Sequence, residues 1–340
     1  MRITNRTLRL AAWMLTSGAV ALAQVGGDDA ALDELRKRTP AGDNDNAIID
    51  KWLADRFAVE SFRTDLTAVR EDASTTPAFQ TALADRLNTF AKNRLADPNN
   101  AVDAVTRLVQ ALIDIDDVKT RESLLAALGH PHQAVRYLGA KGLHAVRDRI
   151  AAGTNPNELR DLLAALRTAA AAETNNTVLD RICRAMSVPN NDDARTALID
   201  VLLSQNERYR RGAILADRTE IAVFEYLATA NLDAAELTRA VQAAAVLLRL
   251  DVARYIAGQN GRFVADEQAV LQQRIATVEG WLEQVVRPPA DRSGNLRQAI
   301  AGEQATLAET VQFELNKWIG TADSPGVLNA APWNVPVAAP

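Results

Sequence analysis

The chain has only three histidines, His130, His132 and His144, and the run His130-Pro131-His132 is a spacing that metal ions use. Two imidazoles need further ligands to complete a site. His144 stands 12 residues beyond His132, or ~18 Å along a helix at 1.5 Å per residue, so the three cannot share one ion. The run therefore reads as a turn between helices, and neither a metal nor a cofactor is expected. Two acidic runs resemble calcium loops at their start only. In Asp43-Asn44-Asp45-Asn46 the sixth position is not glycine and the twelfth is Ala54, and in Asp114-Ile115-Asp116-Asp117 the sixth position is Lys119. Both suit solvated turns and helix caps.

The single cysteine, Cys183, cannot form an internal disulfide, and Ile182 and Met186 place it on an apolar stripe as a small buried hydrophobe. No nucleophile elbow, phosphate loop, dinucleotide fingerprint, zinc-protease or haem-attachment motif occurs in the chain. Its 43 acidic residues allow many carboxylate pairs of the kind that hydrolyses glycosides, and the sequence does not single one out. The most distinctive surface chemistry is cationic. Arg208-Tyr209-Arg210-Arg211, with Arg147 and Arg149 earlier, forms a candidate partner-binding set for an acidic protein segment or an anionic polysaccharide. The competing reading is ion pairing with Glu207, Asp217 and Asp148.

The elements that must position these residues are helical throughout. Hydrophobic residues make up 48% of the 340 but aromatics only 5%, so alanine-rich helices can pack closely. Ile48, Ile49, Trp52, Leu53 and Phe57 recur at helical spacing. Thr76-Pro77 caps a helix bearing Phe79, Leu83, Leu87 and Phe90, and Asp97-Pro98 offers a similar start before Val102, Val105 and Leu108. Leu124, Leu125 and Leu128 line a further helix. After the turn Gly129-His130-Pro131 comes a partner bearing Val135, Leu138, Leu143, Val146 and Ile150. Gly139 and Gly142 fall inside that second helix, where each costs ~1 kcal/mol relative to alanine, so a neighbouring helix is expected to approach closely there. Asn155-Pro156-Asn157-Glu158 opens another hairpin, and Asp233 with Glu236 caps a long helix.

Over residues 123–150 the chain resembles HEAT-repeat (armadillo-like) proteins. The resemblance rests on Leu124-Leu125, Leu128, Pro131, Val135-Arg136, Ala140 and Leu143: a leucine-rich helix, a proline turn and a Val-Arg helix. It weakens over 156–230, where the turn proline and the Val-Arg pair are missing. The fold class it implies is an all-α, right-handed α-solenoid of stacked helical hairpins with longer C-terminal helices. A non-catalytic interaction scaffold with a protein partner is the function it implies.

Arg2, Arg6 and Arg9, the apolar run Leu10 to Leu22 and Ala21-Leu22-Ala23 have the layout of a secretory signal cleaved after Ala23. The expected location is thus the periplasm or the extracellular space, with membrane contact only through that segment. Loss of residues 1–23 removes three of the 38 basic side chains and none of the 43 acidic ones, taking the formal charge from −5 to −8. Nucleic acid is disfavoured as a partner, since phosphate binding needs a basic stripe. The expected organisation is a signal peptide (1–23), a flexible lead-in (24–45), HEAT-like hairpins (46–230), a long-helix C-terminal cap (231–320) and a disordered tail (321–340). Two alternatives to the protein scaffold stay open, a cell-envelope polysaccharide-binding module and a helical hydrolase with an unidentified carboxylate pair. Exposed aromatics would favour the first, and burial of Trp52, Trp281 and Trp318 would favour the scaffold.

Overall fold

The structure, a computed structural model, describes residues 29–212, 218–259, 261, 263, 266–289, 294–302 and 307–337. The expected signal segment, Asp217 and the last three residues lie outside the described residues. Among the described residues every regular element is a helix and no strand occurs, which bears out the all-α class. Among the described residues no helix is long and apolar enough to cross a membrane. The chain divides into two compact units, Met1–Val146 and Arg147–Pro340.

The first unit holds α1 (29–35), α2 (Asp43–Phe57), α3 (Phe62–Glu71), α4 (Pro77–Ala96), α5 (Val102–Ile115) and α6 (Arg121–Leu128), then the start of α7 (Gln133–Ala151). Helices pack on the next but one, α2 on α4, α4 on α6 and α3 on α5. Thr76 caps α4 by accepting the Phe79 amide at 3.2 Å, with Pro77 in the first turn, as the spacing predicts. Asp97, by contrast, does not start α5. It folds back to accept the Asn99 amide at 3.0 Å, and α5 begins only at Val102 after Ala101. The glycines of α7 meet α6 as expected. A Cβ at Gly139 would stand 2.9 Å from Ala127 Cβ and from the Leu124 carbonyl oxygen, and one at Gly142 would stand 2.5 Å from Leu124 Cδ2. Residues 29–45, expected to be flexible, are packed: Leu32 and Leu35 are buried, the Arg36 carbonyl accepts the Thr76 amide, and the Arg38 guanidinium pairs with Asp45 at 2.6 and 2.7 Å.

The second unit holds α8 (Pro156–Ala172), α9 (Asn176–Met186), α10 (Asp192–Arg210), α11 (Thr219–Leu227), α12 (Ala234–Gly258), α13 (Glu267–Val286), α14 (Leu296–Ala301) and α15 (Leu307–Ile319). Two rows of contacts run through it: α8 on α10 on α12, and α9 on α11 on α13. Asn155, Asn175 and Asn191 each cap the following helix by accepting an amide, and Asp233 with Glu236 forms a complete capping box. α14 and α15 are separate helices, α14 ending at an extended Gly302.

The tail departs most from expectation. Residues 321–337 are packed on the second unit, with Leu328 and Val335 buried and a 3-10 turn over Val327–Asn329. Gln242 Nε2 donates to the Trp333 carbonyl at 2.9 Å and an Arg249 guanidinium nitrogen to that of Pro336 at 3.1 Å. Main-chain acceptors do most of this anchoring, and composition does not display them.

Candidate functional site

The α8 helix ends in the run Ala169-Ala170-Ala171-Ala172, and α10 carries Ala197 on the face that meets it. So little side-chain volume leaves a groove of about 320 Å³ where α8, α9 and α10 come together. Ala170, Ala171, Leu179, Ala197 and Val201 give it apolar walls. Its polar residues are Arg167, Asp200, Ser204, Gln205 and Arg208. On α10 the spacing of Ala197, Val201, Ser204, Gln205 and Arg208 is that of one helical face.

Asp200 ties the even row together, accepting from Arg167 on α8 and from Arg239 on α12, the latter at 2.7 Å. Its charge is thus matched within the protein. Arg208 is held differently. Its guanidinium reaches the turn between α8 and α9 and donates to the carbonyls of Glu173 at 3.1 Å and Thr174 at 3.4 Å, both neutral acceptors. Glu173 fixes that turn by accepting the amides of Thr174 and Asn175 at 2.9 and 2.8 Å. One turn before Arg208, Gln205 is only 2% exposed and its Nε2 finds no hydrogen-bond partner among the described residues. Buried donors left unpaired are uncommon and costly. The groove therefore offers a cation held by neutral groups beside an unspent amide.

Beneath the same helix lies a sealed ionic cluster. Arg274 on α13 donates to both Asp251 oxygens, at 3.2 and 2.5 Å, and stands 3.7 Å from Glu220 on α11. The hydroxyl of Tyr209 on α10 donates to Glu220 at 2.5 Å, and Arg274 lies over the Tyr209 ring at 5.2 Å. Asp251 and Arg274 are fully buried and Glu220 nearly so. Burial pushes the Asp251 carboxyl up to about 7, against the pull of Arg274 and with the help of the Glu220 charge.

These positions redraw the cationic set read from the sequence. Tyr209 turns inward to the ionic cluster rather than outward to a partner, because α10 places positions 205 and 209 on its buried side. Arg208 enters the groove. Arg210 pairs with Glu207 at 2.7 Å, Arg211 is exposed, and Arg149 is exposed on α7. Arg147 binds Asp148 at 3.0 Å and the Arg184 carbonyl. Tyr209 thus leaves the set, and of its five arginines Arg208 is the one that lines the groove. Sequence reasoning passed over Arg167, Asp200, Ser204 and Gln205, for which the four-alanine run opposite Ser204-Gln205 was the available signal. In the histidine turn, His130 Nδ1 accepts the His132 amide at 3.1 Å, and burial lowers the His130 pKa. Among the described residues no group of His, Cys, Asp and Glu is placed to hold a metal ion. Cys183 is buried.

No protein-family model matches the chain, and no match was found among curated proteins or solved structures.

Proposed function

We propose that the chain is an exported, non-catalytic scaffold of HEAT-like stacked hairpins that presents a helical surface to a partner protein. The observation that carries the reading is the double row in the second unit, α8 on α10 on α12 beside α9 on α11 on α13. Contacts between each helix and the next but one are what stacked hairpins produce, and such stacks offer extended surfaces rather than a single deep cleft.

Two further observations support it. Trp52, Trp281 and Trp318 are all buried, so these large aromatics are spent on packing rather than left for sugar rings. The closely spaced acids Asp251 and Glu220 share one arginine inside the core, where no substrate reaches them.

The test is chemical cross-linking in intact native cells with the tagged full chain, followed by identification of attached proteins and glycans. One reproducible, near-stoichiometric protein is the expected result. Glycan without protein would replace the reading with the polysaccharide-binding module.

A further inference from the structure

The alanine-walled groove of α8, α9 and α10 has the chemistry of an acceptor site. We infer that it takes a carboxylate side chain of a partner's peptide segment, held between the Arg208 guanidinium and the Gln205 amide. The inference rests on the scaffold reading and names what the partner brings to it.

Three features point to this ligand class. The first is charge. Asp200 is already matched by Arg167 and Arg239, whereas Arg208 is fixed by two carbonyls, which orient it without neutralising it. A guanidinium has five N–H donors in a planar fork, so it can take a carboxylate while keeping its hold on the turn. The whole chain carries a formal charge of −5, which makes this a local exception rather than part of a general basic surface.

The second feature is Gln205, whose amide nitrogen is buried at the groove without a partner. It stands three residues before Arg208, on the neighbouring position of the same helical face, so a single acceptor can meet both. A carboxylate has two oxygens and several lone pairs for two converging donors. The third feature is the wall. Ala170, Ala171, Leu179, Ala197 and Val201 suit the aliphatic neighbours of an acidic residue in a peptide, and no aromatic face is present for a sugar ring.

The experiment is selection of a displayed random-peptide library on the purified full chain, with counter-selection on Ala171→Trp. That substitution fills the groove from an exposed position and leaves the core untouched. Enriched peptides are then resynthesised and titrated. The expected result is a shared Asp or Glu flanked by small apolar residues, and binding weakened at least tenfold when that acid becomes Asn or Gln. Arg208→Gln should cost about 10- to 100-fold and Gln205→Leu less, as fits loss of a charged and a neutral hydrogen bond. Melting curves run in parallel show that each variant is folded. Should Arg208→Gln fail to fold, Ala171→Trp decides alone.

No enrichment, peptides without an acidic position, or binding unchanged by Ala171→Trp would overturn the inference. The two readings also fail separately. A partner captured from cells by wild type and Ala171→Trp alike keeps the scaffold and removes this site. Acidic peptides that bind the groove, with no partner captured from cells, keep the site and remove the scaffold.

Discussion

The two units differ in how deeply they bury charge. In the first, several ionic pairs lie toward solvent, Arg86 with Asp50, Lys92 with Glu122 and Lys119 with Asp85, each partner at least 30% exposed, and its one buried acid among the described residues, Asp45, pairs with the exposed Arg38. Closeness between helices there comes from small residues, with Gly139 and Gly142 of α7 against α6. In the second unit the charges go inside. Arg274, Asp251 and Glu220 join α11, α12 and α13 under Tyr209 of α10, and Glu279 takes the amides of Leu296 and Arg297 and the Trp318 indole at 2.7, 2.8 and 3.2 Å. Exposed pairs are screened and replaceable, whereas a buried pair is dangerous to break, since the survivor keeps its desolvation cost. The first unit should thus tolerate charge changes that the second does not.

Arg274→Met is the strongest way to break that contrast. It strands Asp251 and Glu220 in the core and should destabilise by about 3–5 kcal/mol in chemical denaturation at neutral pH. A loss below ~1 kcal/mol would show that the cluster is not a lock. Deletion of residues 321–340 comes next, because it uncovers the contacts of Leu328 and Val335. It should lower the melting temperature by more than about 4 °C. Gly142→Val in the first unit should cost about 1–3 kcal/mol by pushing α6 from α7, with Gly142→Ala costing less.

The pH dependence sharpens the same comparison. Asp251 has its folded value, about 7, above its ordinary value of 3.8, so the native state holds this proton more tightly than the unfolded chain does. Its contribution is present at low pH and is lost as pH rises through that window. The melting temperature of the wild type should fall as pH rises from about 4 to about 7, and Asp251→Asn should flatten that fall. Equal slopes would assign the titration elsewhere. Asp72, pulled well below its ordinary value mainly by Ser74 and Arg36, acts at more acidic pH and in the opposite sense. The smallest effect belongs to the first unit, where Arg86→Gln should change stability by less than ~1 kcal/mol.

The sequence made the helices legible because caps and apolar stripes are local signals. Thr76-Pro77, Asn155-Pro156 and the Asp233-Glu236 box each stand where the spacing puts them. Long-range pairing was not legible. Nothing local says that Arg274 will meet Asp251 and Glu220, or that Gln242 and Arg249 will bind carbonyls near Trp333 and Pro336. The candidate site was legible in one residue, Arg208. Tyr209 next to it was assigned to the surface on residue type, while the helical period carries it to the buried face.

The most direct test of a partner-presenting surface is site-specific photo-cross-linking in native cells, with a photoreactive residue replacing Ala171 and, as control, Lys92 on the first unit. One protein should attach at position 171, be absent at position 92, and be lost when Arg208→Gln is added. Attachment of the same protein at both positions, or of glycan alone, or of nothing at position 171, would contradict it.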